Sequence, residues 1–339
     1  MFRPPRDHDI VVDWFGRHFV VVGNLHPPNK LVAYLKYVPT YEKTLWGYGG
    51  TYYRRVLKTY GVKSLHKYLS DYQELTFDPV FNALVPTVGL SSIATYYYPE
   101  LRLKEMFSRV NDVLELITVE FVDTIRDYTS INYDHLGVTG SLLTKIHNVD
   151  VSDIDLVVYG CREALEFMGC IGNYVRVKPT TEELIKQSQI YGVPTDVLVR
   201  INTYFKRFLF RGREVNVIFV DDSQQRYGSE AYLSMYPVEL VVDVVGGDCR
   251  ALQYPGTAVV EKVVDVLGGR LGSDVVGSLR YVVSYEGIFS YPLYLGGRLR
   301  VRGLLQRVVP TNEYRVLVGG IEEPGYVIPL EVSERKSNH

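Results

Sequence analysis

The two ends of this chain read as strands, and its middle carries a helical period. Residues 9–39 contain "DIVVDW", a turn at Phe15-Gly16-Arg17, "FVVVGN" and, after the break "LHPPNK", the run "LVAYLKYV". That pattern predicts a hairpin followed by a third strand. Residues 40–100 are punctuated by Gly49-Gly50 and prolines, with one short helix at "SLHKYLSDY". From 101 to 128, Leu103, Met106, Phe107, Val110, Val113, Leu114, Ile117, Phe121 and Ile125 recur at three- and four-residue steps. This spacing predicts one amphipathic helix.

Further on, "TTEELIKQSQIYG" opens with the capping-box pair Thr180 and Glu183. "PTDVLVRINTYFKRFLF" has the proline-threonine start of another helix. After the turn "RGR", "EVNVIFV" alternates as a strand. From 223 onward, "VELVVDVV", "YVVSY", "RLRVRGLLQRV", "YRVLVG" and "YVIPLEV" are short strands separated by Gly, Pro, Asn and Asp, the pattern of a small β-barrel or sandwich. The predicted fold class is α+β. It has a β-rich N-terminal region (1–100), a central α/β unit (101–222), a β-barrel or sandwich-like region (223–333) and a frayed tail (334–339).

Composition narrows the classes without choosing one. The 339 residues are 46% hydrophobic, enough for a sizeable core, and the formal net charge is -2. That balance argues against a surface built for indiscriminate nucleic-acid binding. The three cysteines, Cys161, Cys170 and Cys249, form no C-x-x-C pair, so a zinc site is not expected, and the low odd count points to a reducing compartment. The polar start "MFRPPRDHD" is no signal peptide, and no apolar run is long enough to cross a bilayer. A cytoplasmic, soluble protein is the expectation. Abundant tyrosine (28), valine and arginine with sparse glutamine is compatible with a heat-adapted source.

The chemistry concentrates in "GVTGSLLTKIHNVDVSDIDLVVYG", residues 137–160. Side chains alternate faces along a strand, so Asp153 and Asp155 share one face, opposite Ile154 and Leu156. Two carboxylates this close repel unless a cation sits between them. Oxygen ligands beside an anionic substrate suit Mg²⁺, with Mn²⁺ as an alternative. Upstream, Gly140 lets backbone N–H groups approach phosphate oxygens, and Ser141 adds a hydroxyl donor. A helix starting there would aim its N-terminus at the anion.

Gly140-Ser141, a spacer and Ser152-Asp153-Ile154-Asp155-Leu156 resemble the nucleotidyltransferase superfamily of DNA polymerase beta, most of all its minimal and archaeal members. The motif covers about 25 residues, and with its helical and strand context the resemblance reaches about a third of the chain. It implies transfer of a nucleoside monophosphate from an NTP, such as ATP, to a hydroxyl acceptor on RNA, a small molecule or a protein. Asp153 and Asp155 would hold two divalent ions, one activating the acceptor and one stabilising pyrophosphate. Gly140 and Ser141 would bind the β- and γ-phosphates.

The sequence departs from the family pattern in three places. The glycine usual after the serine is absent from "LLTKI", and the spacer is about one residue longer than the commonest form. The third carboxylate falls on "EVNVIFV", whose central polar residue is Asn216. Glu214 lies on the same face and is the candidate third carboxylate, so Glu214→Gln is expected to lower the rate. Asp221 and Asp222 read as strand-end turn residues.

Other candidates are weaker. Lys145 in the spacer, and Lys206 or Arg207 in the basic stretch from Arg200 to Arg213, could meet a triphosphate. In that stretch Tyr204, Phe205, Phe208 or Phe210 could stack on a base, although an amphipathic helix with solvated cations explains it as well. Arg298, Arg300 and Arg302 share a strand face that is either a binding stripe or a charged, aggregation-resistant edge. His135 and His147 lack metal spacing and read as structural. Beside an active Mg²⁺-dependent transferase stand two alternatives. One is a degenerate nucleotide-binding member, supported by Asn216, and the other is a nucleic-acid-binding scaffold that uses the β-rich flanks.

Overall fold

The computed structural model describes residues 3–57, 61–69, 71–201 and 205–330. It is a mixed α+β fold with three β-sheets. The first lies between Ile10 and Tyr97. Its spine is the long strand Lys30–Thr40, which pairs with His18–Val21, Thr51–Arg55 and Ala83–Gly89.

The second sheet carries the motif. Ile154–Tyr159 runs parallel to Arg213–Val220 and antiparallel to Leu136–Thr139. Beyond Arg213–Val220 lie Arg207–Phe210 and then Val175–Arg176. Leu156 and Val158 turn their fully buried side chains into a core with Leu114, Phe121, Val122 and Ile125 of the helix Val113–Tyr128. The period read over 101–128 splits into two helices, Pro99–Ser108 and Val113–Tyr128. Asp112 causes the break. Its backbone is extended, and its carboxylate accepts the N–H groups of Leu114 and Glu115 at 2.9 and 3.0 Å, capping the second helix.

The helix expected over 194–210 is also shorter. Thr195–Ile201 is helical, but Arg207–Phe210 is a strand. Arg211 and Gly212, both at positive φ, form a tight two-residue turn, and Phe210 pairs with Arg213 across it. Hairpin closure therefore overrides the helical reading of "KRFLF". Tyr204 lies outside the described residues, as does the tail from 334. The capping box at Thr180 and Glu183 is present in full.

The third sheet spans Ala231 to Pro329. Ala231–Val244 pairs with both Gly256–Gly268 and Gly297–Val309, and Leu279–Ser284 and Tyr314–Val318 complete the circuit. Five strands thus close on themselves around a core of Val, Leu and Ile side chains. Val193, Leu198 and Ile201 belong to this core and not to the central one. Packing therefore cuts across the boundary read at 222.

Cys161 and Cys249 form a disulfide across 88 residues, tying the helix Cys161–Cys170 to the turn before Gly256–Gly268. The cysteine count did not point to it. Such bridges are rare in mesophile cytosol but frequent inside hyperthermophiles, so the bridge leaves the compartment open. A closed loop of this length is worth roughly 4–5 kcal/mol in the chain-entropy picture. Reduction should lower Tm clearly, and an unchanged Tm with both thiols verified as free would contradict this. No helix among the described residues is long and apolar enough to cross a membrane.

Candidate functional site

The site forms where the turn after Leu136–Thr139 meets the start of Ile154–Tyr159. Thr139 is directly opposite Asp155 in the antiparallel pair, so the chain turns at Gly140 within reach of that carboxylate. Gly140 has φ +66°, and a Cβ added there would lie 2.2 Å from Asp155 Oδ2. Only glycine allows this approach. Ser141 follows, 7% exposed, with no hydroxyl partner among the described residues. Gly140–Leu143 is a single turn of helix, so the expected helix N-terminus shrinks to a few backbone N–H groups. Leu142 packs into the central core and Leu143 into the N-terminal one, pinning the turn between two sheets.

The spacer holds itself together. Ser152 Oγ accepts the Asn148 N–H at 2.9 Å, which sets the entry into the strand. Asp153 is exposed and Asp155 half-buried. In the parallel pair Asn216 lies directly opposite Asp155. Its Nδ2 donates to Asp153 Oδ2 at 2.8 Å and to Asp155 Oδ1 at 3.0 Å. The amide thus stands where the third carboxylate was sought.

Glu214 is on the same strand face but does not join the cluster. It accepts from Arg207 at 2.7 Å, and Arg207 also donates to Glu183 at 3.0 Å. Glu214 and Arg207, both candidates from the sequence, thus neutralise each other on the hairpin, away from the Asp153–Asp155 cluster. Glu214→Gln should leave any transfer rate within about twofold and cost at most about 1 kcal/mol of stability. A tenfold loss of rate would return Glu214 to the site.

The two lysine candidates also have partners of their own. Lys145 pairs with Glu105 on the helix Pro99–Ser108. Lys206 is half-buried beside Phe205 and Phe219 and donates to the Leu252 carbonyl at 2.7 Å. Burial holds its pKa down to about 8. Phe205 and Phe208 are core residues, and Phe210 packs against Phe121. Arg298, Arg300 and Arg302 pair with Asp243, Glu239 and Glu323, so the stripe is an ion-paired surface. Asp221 accepts from Ser223 and Gln225, and the backbone carbonyl of Asp222 accepts from Arg6, in keeping with strand-end turns.

Two cations missed by the sequence reading stand near the aspartates. Repulsion from Asp155, the largest cause, pushes the Asp153 carboxyl up from 3.8 to about 6, while Lys36 and Arg55 pull it down. Both come from the N-terminal sheet, which reaches the motif through further contacts. Thr139 Oγ1 donates to the His8 carbonyl at 2.6 Å, and the Gly47 N–H donates to the Ile146 carbonyl at 3.0 Å. Lys36 carried a signal, as a lone charge inside the apolar run "LVAYLKYV". A lysine only 8% exposed is costly without an anion nearby.

The donor set fits one hard divalent ion. Two carboxylates and an amide oxygen, available by rotation of Asn216, leave positions for water and phosphate. A second ion would need a further carboxylate, and Asn216 is not one. A pH dependence follows. With its pKa raised, Asp153 in the folded chain keeps a proton that the unfolded chain gives up. Without divalent ions, its contribution to stability is present below pH 3.8 and is lost as pH rises through about 6. Added Mg²⁺ should raise Tm little at pH 5 and more above pH 7. Equal Mg²⁺ stabilisation at both would contradict this.

A second cluster exists. Asp112, Glu115 and His147 bring one ligand atom each within 4.8 Å of one another and could hold a metal. Each carboxylate is already engaged, however. Asp112 caps its helix and pairs with His147 at 2.8 Å, and Glu115 pairs with Arg102 and accepts from Asn111. His147 has no metal-ligand spacing in the sequence, and it is packing that brings it to Asp112 and Glu115. His135 contacts the Tyr159 carbonyl at 3.2 Å.

Comparison with known proteins gives one informative relative. The chain is similar to the uncharacterized protein MJ1086 of Methanocaldococcus jannaschii, 25% identical over 94% of this chain and 96% of that protein. No protein-family model matches the chain, and no solved structure matches it. The similarity therefore runs through all three sheets and carries no activity with it.

Proposed function

We propose that the protein binds an NTP with a divalent cation at Gly140, Ser141, Asp153 and Asp155 and transfers the nucleoside monophosphate to a hydroxyl acceptor. The observation that carries this reading is the contact of the Gly140 backbone with the Asp155 carboxylate. It sets the Gly140-Ser141 turn beside two carboxylates whose mutual repulsion calls for a cation. The central sheet, with its motif strand between an antiparallel and a parallel neighbour, would be the nucleotidyltransferase core.

In this reading Asp153 and Asp155 hold the cation, and Ser141 and the turn N–H groups donate to the outer phosphates. Lys36 and Arg55 add positive charge on the side facing the N-terminal sheet. A bound Mg²⁺ would supply charge neutralisation on the phosphates and leaving pyrophosphate. Asn216 orients both aspartates but takes no proton from an acceptor. Acceptor activation then rests on the acceptor's own acidity or on a group it brings. The same residue favours a second reading, in which the protein binds Mg²⁺–NTP and transfers nothing.

The test uses α-labelled ATP, CTP, GTP and UTP with Mg²⁺ or Mn²⁺, incubated with total RNA and separately with a protein and metabolite extract. Label in one fraction, absent with Asp153→Asn/Asp155→Asn, establishes transfer and its acceptor class. Nucleotide binding without label supports the second reading, and neither binding nor label removes both.

A further inference from the structure

A cavity of about 660 Å³ lies between the N-terminal sheet and the outer face of the closed C-terminal sheet. Its lining residues include none of the Gly140, Asp153, Asp155 and Asn216 cluster, nor Lys36 or Arg55. The volume is that of a small-molecule site. One wall is apolar and aromatic, with Val283, Leu304, Leu317, Tyr281 and Tyr285 forming a cluster of their own on the barrel exterior. Tyr254 stacks on Tyr285 with ring centroids 5.9 Å apart.

Into this wall is set a buried cation without a counter-charge. Arg315 is 5% exposed and lines the cavity. Its Nε donates to Gln306 Oε1 at 2.9 Å, its guanidinium lies over the Tyr232 ring, and its Nη2 has no partner among the described residues. None of its contacts among the described residues is a carboxylate. Of the acids that line the cavity, Asp221 closes its own turn, Glu230 accepts from the Tyr232 hydroxyl, and Glu322 is solvent-exposed and makes no ion pair with Arg315 among the described residues. Arg250 on the same lining pairs with Asp248. A second buried donor on the same cavity, Gln253 Nε2, also lacks a partner among the described residues. Burying an unpaired guanidinium and an unpaired amide is costly. Both costs fall away if the cavity's occupant is an anion.

We propose that this cavity binds an organic anion, with a carboxylate or phosphate monoester head at Arg315 and Gln253 and an aliphatic or aromatic body against Val283, Leu317 and Tyr285. Arg315 matches either head group through charge-assisted hydrogen bonds. The tyrosines and branched side chains exclude water from the body. The site stands apart from the metal–nucleotide site, and its test does not depend on transfer activity.

The probe is anilinonaphthalene sulfonate, an aromatic anion whose fluorescence rises on burial, titrated into the intact protein. One saturable site is expected. Octanoate or octyl phosphate should displace the probe and octanol should not, and the stronger competitor identifies the head group. Arg315→Gln should weaken the probe about tenfold or more, while Asp153→Asn leaves it unchanged. Absence of a saturable site, displacement by octanol as effective as by octanoate, or unchanged affinity in a folded Arg315→Gln protein would each overturn the proposal. If that variant does not fold, the competition series on the unmodified protein decides alone.

Discussion

Asp155→Asn is expected to lower nucleotidyl transfer by 10²-fold or more while leaving the metal-free protein at least as stable as before. The loss in the proposed activity follows from removing one of the two carboxylates that the described residues bring to the site, a deletion of the size seen when a single charge-stabilising group is lost. The stability direction follows from the same geometry. Asp155 repels Asp153, and that repulsion is the largest cause of the raised Asp153 pKa. Removing it relieves the folded state. Asn216 can still bond to the new amide, because the side-chain oxygen it uses at 3.0 Å is retained. A Tm fall of several degrees with activity intact would mark Asp155 as a structural turn residue. A stability gain coupled to lost function is the signature of a binding site held together against its own charge.

Gly140→Ala should have an effect of similar size by a different route. The added methyl would meet Asp155 Oδ2 at 2.2 Å, and φ of +66° is strained for any residue with a Cβ. The carboxylate must swing away or the turn must open. Either change would separate the turn proposed to bind phosphate from the aspartates proposed to bind the cation. Mg²⁺–NTP affinity should fall by about a hundredfold, near 2.7 kcal/mol. Stability should fall by about 1 kcal/mol or more from the backbone conformation alone. Calorimetric titration of Mg²⁺–ATP checks this, and unchanged affinity would show that the turn and the aspartates act independently.

The motif was legible because its physics is local. Period-two alternation set Asp153 and Asp155 on one face, and the glycine before the serine marked a close approach, although not what approaches. Asn216 was visible as an anomaly on an otherwise apolar strand, and strand register gives it meaning by setting it opposite Asp155. Lys145, Lys206, Arg207 and Glu214 could not be judged from the sequence, because a charged residue's role depends on partners elsewhere. Glu105 and the Leu252 carbonyl are 40 and 46 residues from the lysines they engage. The hairpin at Arg211-Gly212 was mistaken for a helix continuation because "KRFLF" carries no period long enough to decide. Lys36 and Arg55 were missed for the most general reason. They belong to another sheet, and only tertiary packing brings them to the aspartates.

Asn216 also sets the metal count, and that count can be measured. Manganese titration followed by electron paramagnetic resonance, with and without a non-hydrolysable NTP analogue, tests the central claim most directly. One tightly held Mn²⁺ per chain is predicted, tightened by the nucleotide, lost in Asp153→Asn/Asp155→Asn and retained in His147→Ala. Asn216→Asp should admit a second ion. Mn²⁺ binding that survives the double aspartate variant, or that disappears with His147→Ala, would contradict the account and move the metal to the Asp112, Glu115 and His147 cluster.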